Sequence, residues 1–285
     1  MRRLLLALLL FSSAAGAVMV VDDAGRPVEL PGPARRIVAL APHIVENLYA
    51  AGAGEHIVGA VDYSDYPETA RAIPRVGTFN AFSLEAIIAA RPDLVVMWGS
   101  GNGMAALDKL APLKVPVFIS EPRQIADIPR DLRALGALAG TAAAAEAAAR
   151  HFEVEMEALR RSSADGRPLT VLFQIWNKPL QTVSGDHLIS EVLTLCGGVN
   201  LFADARTLAP KLNIESVLAR NPEVIVGSGA GSGRPAWLDD WRNYPTLAAV
   251  ENDALFYVNP DHILRPTPRL LLGARALCAQ LSSAR

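Results

Sequence analysis

The sequence predicts an α/β protein with two similar α/β lobes, parallel-type sheets, one long bridging α-helix and a ligand cleft between the lobes. Strand-like and helical runs alternate in both halves of the 285 residues, which is typical of parallel α/β layers. One motif occurs twice, as SLEAIIAARPDLVV from residue 83 and as NIESVLARNPEVIV from residue 213. A helical stretch without Pro or Gly lies between the copies. Two related units joined by a rod predict facing lobes, and clefts between lobes are common ligand sites.

The first lobe is predicted over residues 22–140. From Arg36 onward the strand-like runs are RIVALA, HIVGAV, DLVVMW and VPVFIS, and they alternate with the helical runs PHIVENLYAAGA, SLEAIIAA and GMAALDKLA. The second lobe is predicted over residues 168–285. Its strands are LTVLFQIW, EVIVGS and ALFYVN, and its helices are HLISEVLTLCGG, NIESVLARN and a last one through LLLGARALCAQL.

The bridging helix is predicted over residues 141–164. Thr141 is a good capping residue, Ala dominates the run, and Arg160 and Arg161 suit the negative end of the helix dipole. About 20 residues at 1.5 Å per residue give a rod of about 30 Å. Such a rod is expected to limit the lobes to small rocking motions.

The N-terminus has the features of a secretory signal peptide over residues 1–17. Arg2 and Arg3 precede the apolar run from Leu4 to Phe11, and SSAAGA supplies the small residues of a cleavage site. The apolar run is shorter than the roughly 20 residues that span a bilayer, and no cysteine follows it for a lipid anchor. The mature protein is therefore predicted to be exported to the periplasm and not inserted in the membrane.

Cys196 and Cys278 are the two cysteines of the chain. An oxidising compartment favours a disulfide between them. In the loop-entropy description, closing a loop of about 80 residues removes on the order of 4 kcal/mol of unfolded-chain entropy. Two buried free thiols are the alternative. Neither cysteine belongs to a CxxC motif, so redox catalysis has no support.

Several classes of function find no support in the sequence. The net charge of −2 gives no electrostatic footprint for nucleic acid. GSGAGSGRP matches neither a nucleophile elbow nor a phosphate-binding loop. The histidines show no metal-ligand spacing, although ligands distant in sequence remain an alternative. We therefore expect no catalytic residue, no metal and no cofactor. The histidines are His43, His56, His151, His187 and His262.

Several aromatic residues fall where predicted strands end. They are Tyr63 and Tyr66 in DYSDYPETA, Phe79 in VGTFNAF, Trp98 after DLVVM and Trp176 after LTVLFQI. Because the carboxyl ends of parallel strands face the ligand crevice, these rings predict an aromatic-walled cleft for a broad planar ligand. The alternative is that the rings pack in the core or between the lobes.

A second candidate segment is NPDHILRPTPR. Its prolines stiffen the backbone, while Asp261 offers a hydrogen-bond acceptor and Arg265 a forked donor. An ordinary loop with a local ion pair is the alternative.

The motifs YSDYPETA, PDLVVMWGSGN, LTLCGGVNLFADAR, ESVLARNPEVIV and RPTPRLLLGARALC together resemble the periplasmic vitamin-B12-binding proteins of bacterial cobalamin ABC importers. The resemblance runs from RIVALAP to ALCAQL. It implies two α/β lobes on a rigid helix, binding of a corrinoid without catalysis, a monomer, and delivery to a membrane permease dimer. The two cysteines also match the disulfide positions of the family.

The resemblance assigns Tyr63, Phe79 and Trp98 to contacts with the corrin ring and its nucleotide loop. It places Ala209 where the family has a further tryptophan, for which Trp176 is a possible replacement in a loosely aligned segment. It assigns a five-residue segment to the opposite rim, where His262 stands in place of an aromatic residue. That segment comprises Asp261, His262, Ile263, Leu264 and Arg265.

The repeated motif carries Glu85 and Glu215 at matching places, each two residues after a capping residue, Ser83 or Asn213. A glutamate in the first turn interacts favourably with the helix dipole, which is a sufficient structural reason for it. The resemblance implies a second role, in which the pair engages arginines of two permease subunits. A carboxylate at a helix start can still accept a bidentate arginine.

The sequence therefore predicts a periplasmic solute-binding protein that captures cobalamin or a related corrinoid for an ABC importer. A haem or ferric-siderophore binder on the same scaffold is the main alternative. Haem would favour an axial Tyr or His, and Tyr63 and His262 are available. Siderophores would favour several cleft arginines. A metal-insertion or hydrolytic enzyme with twin lobes, or a metal-ion transporter subunit, is a minor alternative.

Overall fold

The computed structural model describes residues 16–163, 166–229, 231 and 233–285. Residues 1–15, which hold most of the predicted signal peptide, lie outside the described residues. The described chain contains two four-stranded sheets in which every neighbouring pair of strands is parallel. Helices connect the strands, which confirms the predicted α/β class with two lobes.

The first sheet has the strand order β4-β3-β5-β6, preceded by the antiparallel hairpin β1-β2. Its inner strands are buried, apart from the partly exposed Trp98 at the end of β5, because helices cover both faces. The strands are β1 (Val18–Val21), β2 (Pro27–Leu30), β3 (Ile37–Ala39), β4 (Ile57–Ala60), β5 (Leu94–Trp98) and β6 (Val117–Ser120). The helices are α1 (Pro42–Ala50), α2 (Leu84–Ala90), α3 (Gly99–Asn102), α4 (Ala106–Leu110) and α5 (Asp127–Ala139).

The bridging helix α6 occupies Ala142–Ser162. Its buried residues Ala145, Ala149, Phe152 and Met156 recur at helical spacing and form one apolar stripe. The stripe packs on α5, where a Cβ at Gly136 would lie 2.2 Å from the Cβ of Ala145. Only glycine at that position lets the two helices approach so closely.

The second sheet has the strand order β10-β9-β7-β8. Its short strand β8 was not predicted, and the predicted strand LTVLFQIW ends two residues early, at Gln174. The strands are β7 (Leu169–Gln174), β8 (Gly198–Asn200), β9 (Val224–Gly227) and β10 (Leu255–Tyr257). The helices are α7 (Leu188–Leu195), α8 (Ile214–Arg220), α9 (Ala248–Glu251), α10 (Pro260–Ile263) and α11 (Leu270–Ser283).

The predicted disulfide is present. Cys196, at the end of α7, is bonded to Cys278 of α11 with a Cα–Cα distance of 4.5 Å. Both half-cystines are buried in a core cluster that also receives Phe152 and Met156 from α6. The bridging helix is therefore part of the core of the second lobe. Among the described residues, no helix combines the length and apolarity that a bilayer span requires.

Candidate functional site

The two lobes meet at a cleft formed where strands of both sheets end. Since crossover helices return antiparallel to the strands, the cleft collects strand ends and helix starts on one side of the molecule. The cavity between the lobes measures about 70 Å³ at this point, far below the roughly 300–1,000 Å³ of typical small-molecule pockets. The lining residues are Trp98, Ser100, Glu121, Pro122 and Arg123 from the first lobe, and Asp186, His187, Leu188, Leu208, Leu264 and Pro266 from the second.

The wall of the first lobe is a stack of rings. Phe79 and Trp98 lie 6.0 Å apart between ring centroids at an interplanar angle of 44°. The edge of His43 meets Trp98 at 5.3 Å and 88°. Desolvation, followed by the charge of Arg265, lowers the pKa of His43 to about 3, so the imidazole beneath Trp98 is neutral. The wall is therefore apolar, and the edge contact with His43 supports the Trp98 ring.

Asn102 holds the backbone of this wall in place. The sequence analysis did not predict this role. Its Oδ1 accepts the Trp98 backbone N–H at 2.6 Å, while its Nδ2 donates to the carbonyls of Leu40 at 2.9 Å and Phe79 at 2.5 Å. The feature of the sequence that could have indicated it is the neighbouring Gly101. A Cβ at Gly101 would lie 1.8 Å from the Trp98 ring, so the GSGN turn is shaped around the indole.

Tyr63 follows β4 in the first lobe and is 76% exposed. Its φ of +63° places it in the left-handed region, which costs a non-glycine residue roughly 1 kcal/mol. Strained residues of this kind cluster at ligand clamps. The phenol projects into solvent.

On the second lobe, Trp176 lies just beyond β7, and its Nε1–H donates to the Lys178 carbonyl at 3.1 Å. Trp176 is half exposed but is not among the residues that line the enclosed part of the cleft. The segment around Ala209 runs beside residues 182–184, with Ser184 N–H donating to the Leu208 carbonyl at 3.0 Å. Leu208 lines the cleft. The sequence reasoning did not single out that leucine.

The segment 261–265 is divided between the cleft and the core. Asn259 caps α10 by accepting the Asp261 N–H at 2.9 Å. Leu264 lines the cleft. His262 is partly buried, and desolvation lowers its pKa. Ile263 is 0% exposed and packs in the core of the second lobe. The prediction that Ile263 faces the ligand is therefore wrong, because the turn of α10 directs it inward.

Arg265 is held by carboxylates in this structure. Its Nη1 lies 2.7 Å from Glu46 Oε1 and 3.3 Å from Asp65 Oδ1, and its Nη2 lies 2.9 Å from Asp261 Oδ1. The side chain is 17% exposed. The local Asp261–Arg265 pair considered from the sequence is present, but the longer-range contacts place Arg265 between the lobes.

Glu46 of α1 is the buried centre of these contacts. It accepts hydrogen bonds from Arg265, from Arg269 Nη1 at 3.2 Å and from Thr267 Oγ1 at 3.1 Å. Desolvation raises the pKa of Glu46, while its partners oppose the rise. Beside it, Asn47 Nδ2 donates to the Pro266 carbonyl at 3.1 Å. The signal missed in the sequence was the adjacent polar pair EN within the apolar helix PHIVENLYA.

Glu85 and Glu215 occupy equivalent places at the starts of α2 and α8. Ser83 Oγ accepts the Ala86 N–H at 3.1 Å, and Asn213 Oδ1 accepts the Ser216 N–H at 2.9 Å. Both glutamates are exposed. Backbone hydrogen bonding, followed by the Ser83 hydroxyl, lowers the pKa of Glu85. The two helices also end alike, with Arg91 (φ +46°) and Asn221 (φ +45°) in the left-handed region.

Comparison with known proteins shows which family this chain resembles in sequence. The sequence profile of the family described as periplasmic binding protein matches residues 37–261. The vitamin B12-binding protein of Yersinia pestis (strain Pestoides F) is 37% identical over 269 residues, which cover 94% of this chain and 93% of that protein.

Solved structures agree with that match. The periplasmic vitamin B12 binding protein BtuF of Vibrio cholerae superposes with a TM-score of 0.82 at 35% identity, over 88% of this chain and 98% of that one. The periplasmic haem-binding protein RhuT from Roseiflexus sp. RS-1 has a TM-score of 0.78 at 23% identity, over 88% of this chain and 98% of that one. The second match shows the fold alone. The chain belongs to the periplasmic binding protein family.

Proposed function

We propose that this chain is a periplasmic solute-binding protein that holds cobalamin or a related corrinoid between its lobes and delivers it to an ABC importer. The observation that carries the proposal is the wall of Phe79 and Trp98, braced by Asn102 and facing Leu208 and Leu264 across the cleft. Flat apolar walls suit a large macrocycle because rings give broad contact at little conformational cost. The vitamin B12-binding relatives support the same cargo.

The protein acts on its cargo by binding alone. The aromatic wall orients the macrocycle, and polar groups at the rim, such as Asp261 and Tyr63, meet its amide arms. No step breaks or forms a covalent bond, and no metal or cofactor takes part. Export through the predicted signal peptide places the protein in the periplasm, where it works as a monomer.

Delivery uses Glu85 and Glu215 as docking points for arginines of a permease dimer. The repeated motif supports this role, since both acids are exposed and both sit beside a capping residue at a helix start. Because helices in parallel α/β units start on the side of the sheet where strands end, we expect the two acids on the side of the molecule where the cleft opens. A two-fold permease facing the cleft would meet one acid on each lobe.

Haem is the second candidate cargo, since the exposed phenol of Tyr63 and the half-buried imidazole of His262 are possible axial ligands for iron. Calorimetric titration of the mature protein, residues 18–285, separates the candidates. Cyanocobalamin, haem and a ferric siderophore are compared under identical conditions. We expect saturable 1:1 binding of cyanocobalamin at micromolar concentrations or below. Saturation by another ligand, without heat from cyanocobalamin, would overturn the assignment of cargo.

A further inference from the structure

A cavity of about 450 Å³ opens on the second lobe beside the start of α8, and we name it the socket. Among the described residues, it shares no lining residue with the cavity between the lobes. Its walls come from the segment after β7, from the start of α8 and from the 3₁₀ helix Ala236–Asn243. Its apolar lining residues are Leu180, Leu212, Ile214, Trp237, Trp241 and Tyr244.

The aromatic walls of the socket are held in place by contacts within the protein. Trp237 packs over the end of the second sheet, since a Cβ at Gly229, just beyond β9, would lie 2.9 Å from its Cζ2 atom. Trp241 Nε1–H donates to Gln174 Oε1 at 2.8 Å, and the Trp241 and Tyr244 rings lie 6.0 Å apart between centroids. The socket therefore lies at the carboxyl end of the second sheet, where the strand ends of the cleft also lie.

The two copies of the repeated motif use their first helical residue differently. Leu84 begins α2 and packs against a core cluster of the first lobe. Ile214 begins α8, is 40% exposed and lines the socket. Glu85 and Glu215 are the next residues in the two copies. The acid of the second lobe therefore has an open apolar cavity beside it, at the place where the first copy fills its own core.

The polar residues around the socket favour a cationic partner. Glu215 and Asp240 are exposed, and neither belongs to an ion pair within the described part of the chain. Asp240 lines the socket, and Lys178 is the cation among the lining residues. An apolar centre with aromatic walls and a polar rim is the anatomy of a protein–protein contact, and the strongest contacts are anchors that fill such pockets.

We propose that the socket receives an apolar side chain of the permease, carried on the same segment as the arginine that meets Glu215. The inference rests on the proposed function and adds an apolar anchor on the second lobe to the pair of acids. The two permease subunits then hold unlike partners. One meets Glu85 beside the packed Leu84, and the other meets Glu215 beside an open cavity.

The test adds purified protein, loaded with radiolabelled cyanocobalamin, to spheroplasts of a strain whose own gene is deleted. The uptake rate is measured against the protein concentration. Ile214→Ala is expected to raise the half-saturating concentration about 5-fold, as truncation of an interface anchor does, with the maximal rate unchanged.

Ile214→Asp is expected to raise the half-saturating concentration about 10-fold or more, because it places a carboxylate in an apolar cavity. Aspartate at the first helical position suits the helix dipole, so folding is not at risk. Its charge alone would favour an arginine, so a loss of docking reports the apolar contact. Ile88→Ala, which truncates an exposed isoleucine in the last turn of α2, is the control and should behave as wild type.

Calorimetry on the same proteins should give equal affinities for cyanocobalamin. A lower affinity in the Ile214 variants would assign the socket to the cargo, and a wild-type dimer that Ile214→Asp dissociates in light scattering would assign it to a second copy. Either result, or an unchanged half-saturating concentration, would overturn the inference. Failure of wild type to bind cyanocobalamin or to support uptake would instead overturn the proposed function, so the two failures are distinguishable.

Discussion

The rings of Phe79 and Trp98 lie 6.0 Å apart although they belong to different segments of the first lobe. Asn102 joins those segments by bonding the backbone of both residues. The wall is therefore held together by hydrogen bonds within the protein, and a pre-organised surface loses little conformational entropy on binding.

Tyr63→Ala is expected to lower corrinoid affinity about tenfold or more, in the range typical of aromatic contacts at binding sites. Because the phenol is largely exposed, the melting temperature should not fall. Val154→Ala, which trims an exposed side chain on α6, is the control for both readouts. Calorimetry and thermal melting check the pair of variants. Equal affinities of Tyr63→Ala and wild type would remove Tyr63 from the site.

Asn102→Ala is expected to weaken binding about tenfold although the amide need not touch the ligand. The substitution leaves two carbonyls and one N–H without their partner, at a cost of about 2 kcal/mol in the free energy of unfolding. Asn243→Ala, which removes an exposed side-chain bond to the Asp240 carbonyl, is the matched control. A loss of stability with unchanged affinity would show that the hydrogen bonds of Asn102 do not matter for binding.

Glu85→Arg combined with Glu215→Arg is expected to abolish uptake in cells while the purified double variant binds cyanocobalamin as wild type does. Like charges facing permease arginines repel, whereas both positions are exposed and make few internal contacts. Each single variant should retain part of the uptake. Glu157→Arg on α6 controls for a general change of charge. Normal uptake by the double variant would refute the docking role.

The acid stability of the protein should depend on His187. Its Nδ1 accepts the Ile189 N–H at 3.1 Å at the start of α7, and desolvation lowers its pKa to about 4. The folded protein therefore resists a proton that the unfolded chain accepts near pH 6.5. Stability from this group is fully present above pH 6.5 and is lost as the pH falls toward 4, up to about 3 kcal/mol.

His187→Asn keeps a capping acceptor and removes the titrating group. Its free energy of unfolding should change less than that of wild type between pH 6.5 and 4. His43, whose pKa is lowered to about 3 in the folded protein, makes the same contribution to the pH dependence of both proteins, so the difference isolates His187. Urea denaturation at several pH values measures it. Parallel pH profiles would contradict the assignment.

Much of the fold follows from local patterns in the sequence. Aliphatic strands between helices, the repeated motif and the long Ala-rich helix specify two parallel-sheet lobes on a bridge. The strand β8 escaped prediction because GVN is short and contains glycine, so its pairing with β7 is set by tertiary contacts. The short helix α10 was missed for a similar reason, since its four residues have no periodicity to detect.

The candidate site was only partly predictable. Aromatic residues at strand ends marked the cleft, because parallel topology brings those ends together. The roles of Glu46 and Asn102 depend on partners far away in sequence, such as Arg265 and Phe79, which no local pattern reveals. The orientation of Ile263 depends on one turn of helix, which the sequence alone did not indicate.

A crystal structure of the mature protein with cyanocobalamin tests the central claim most directly. The account predicts one corrin ring between the lobes, in van der Waals contact with Phe79 and Trp98 on one side and with Leu264 on the other. A corrinoid bound on another face, with the cleft between the lobes empty, would contradict the account.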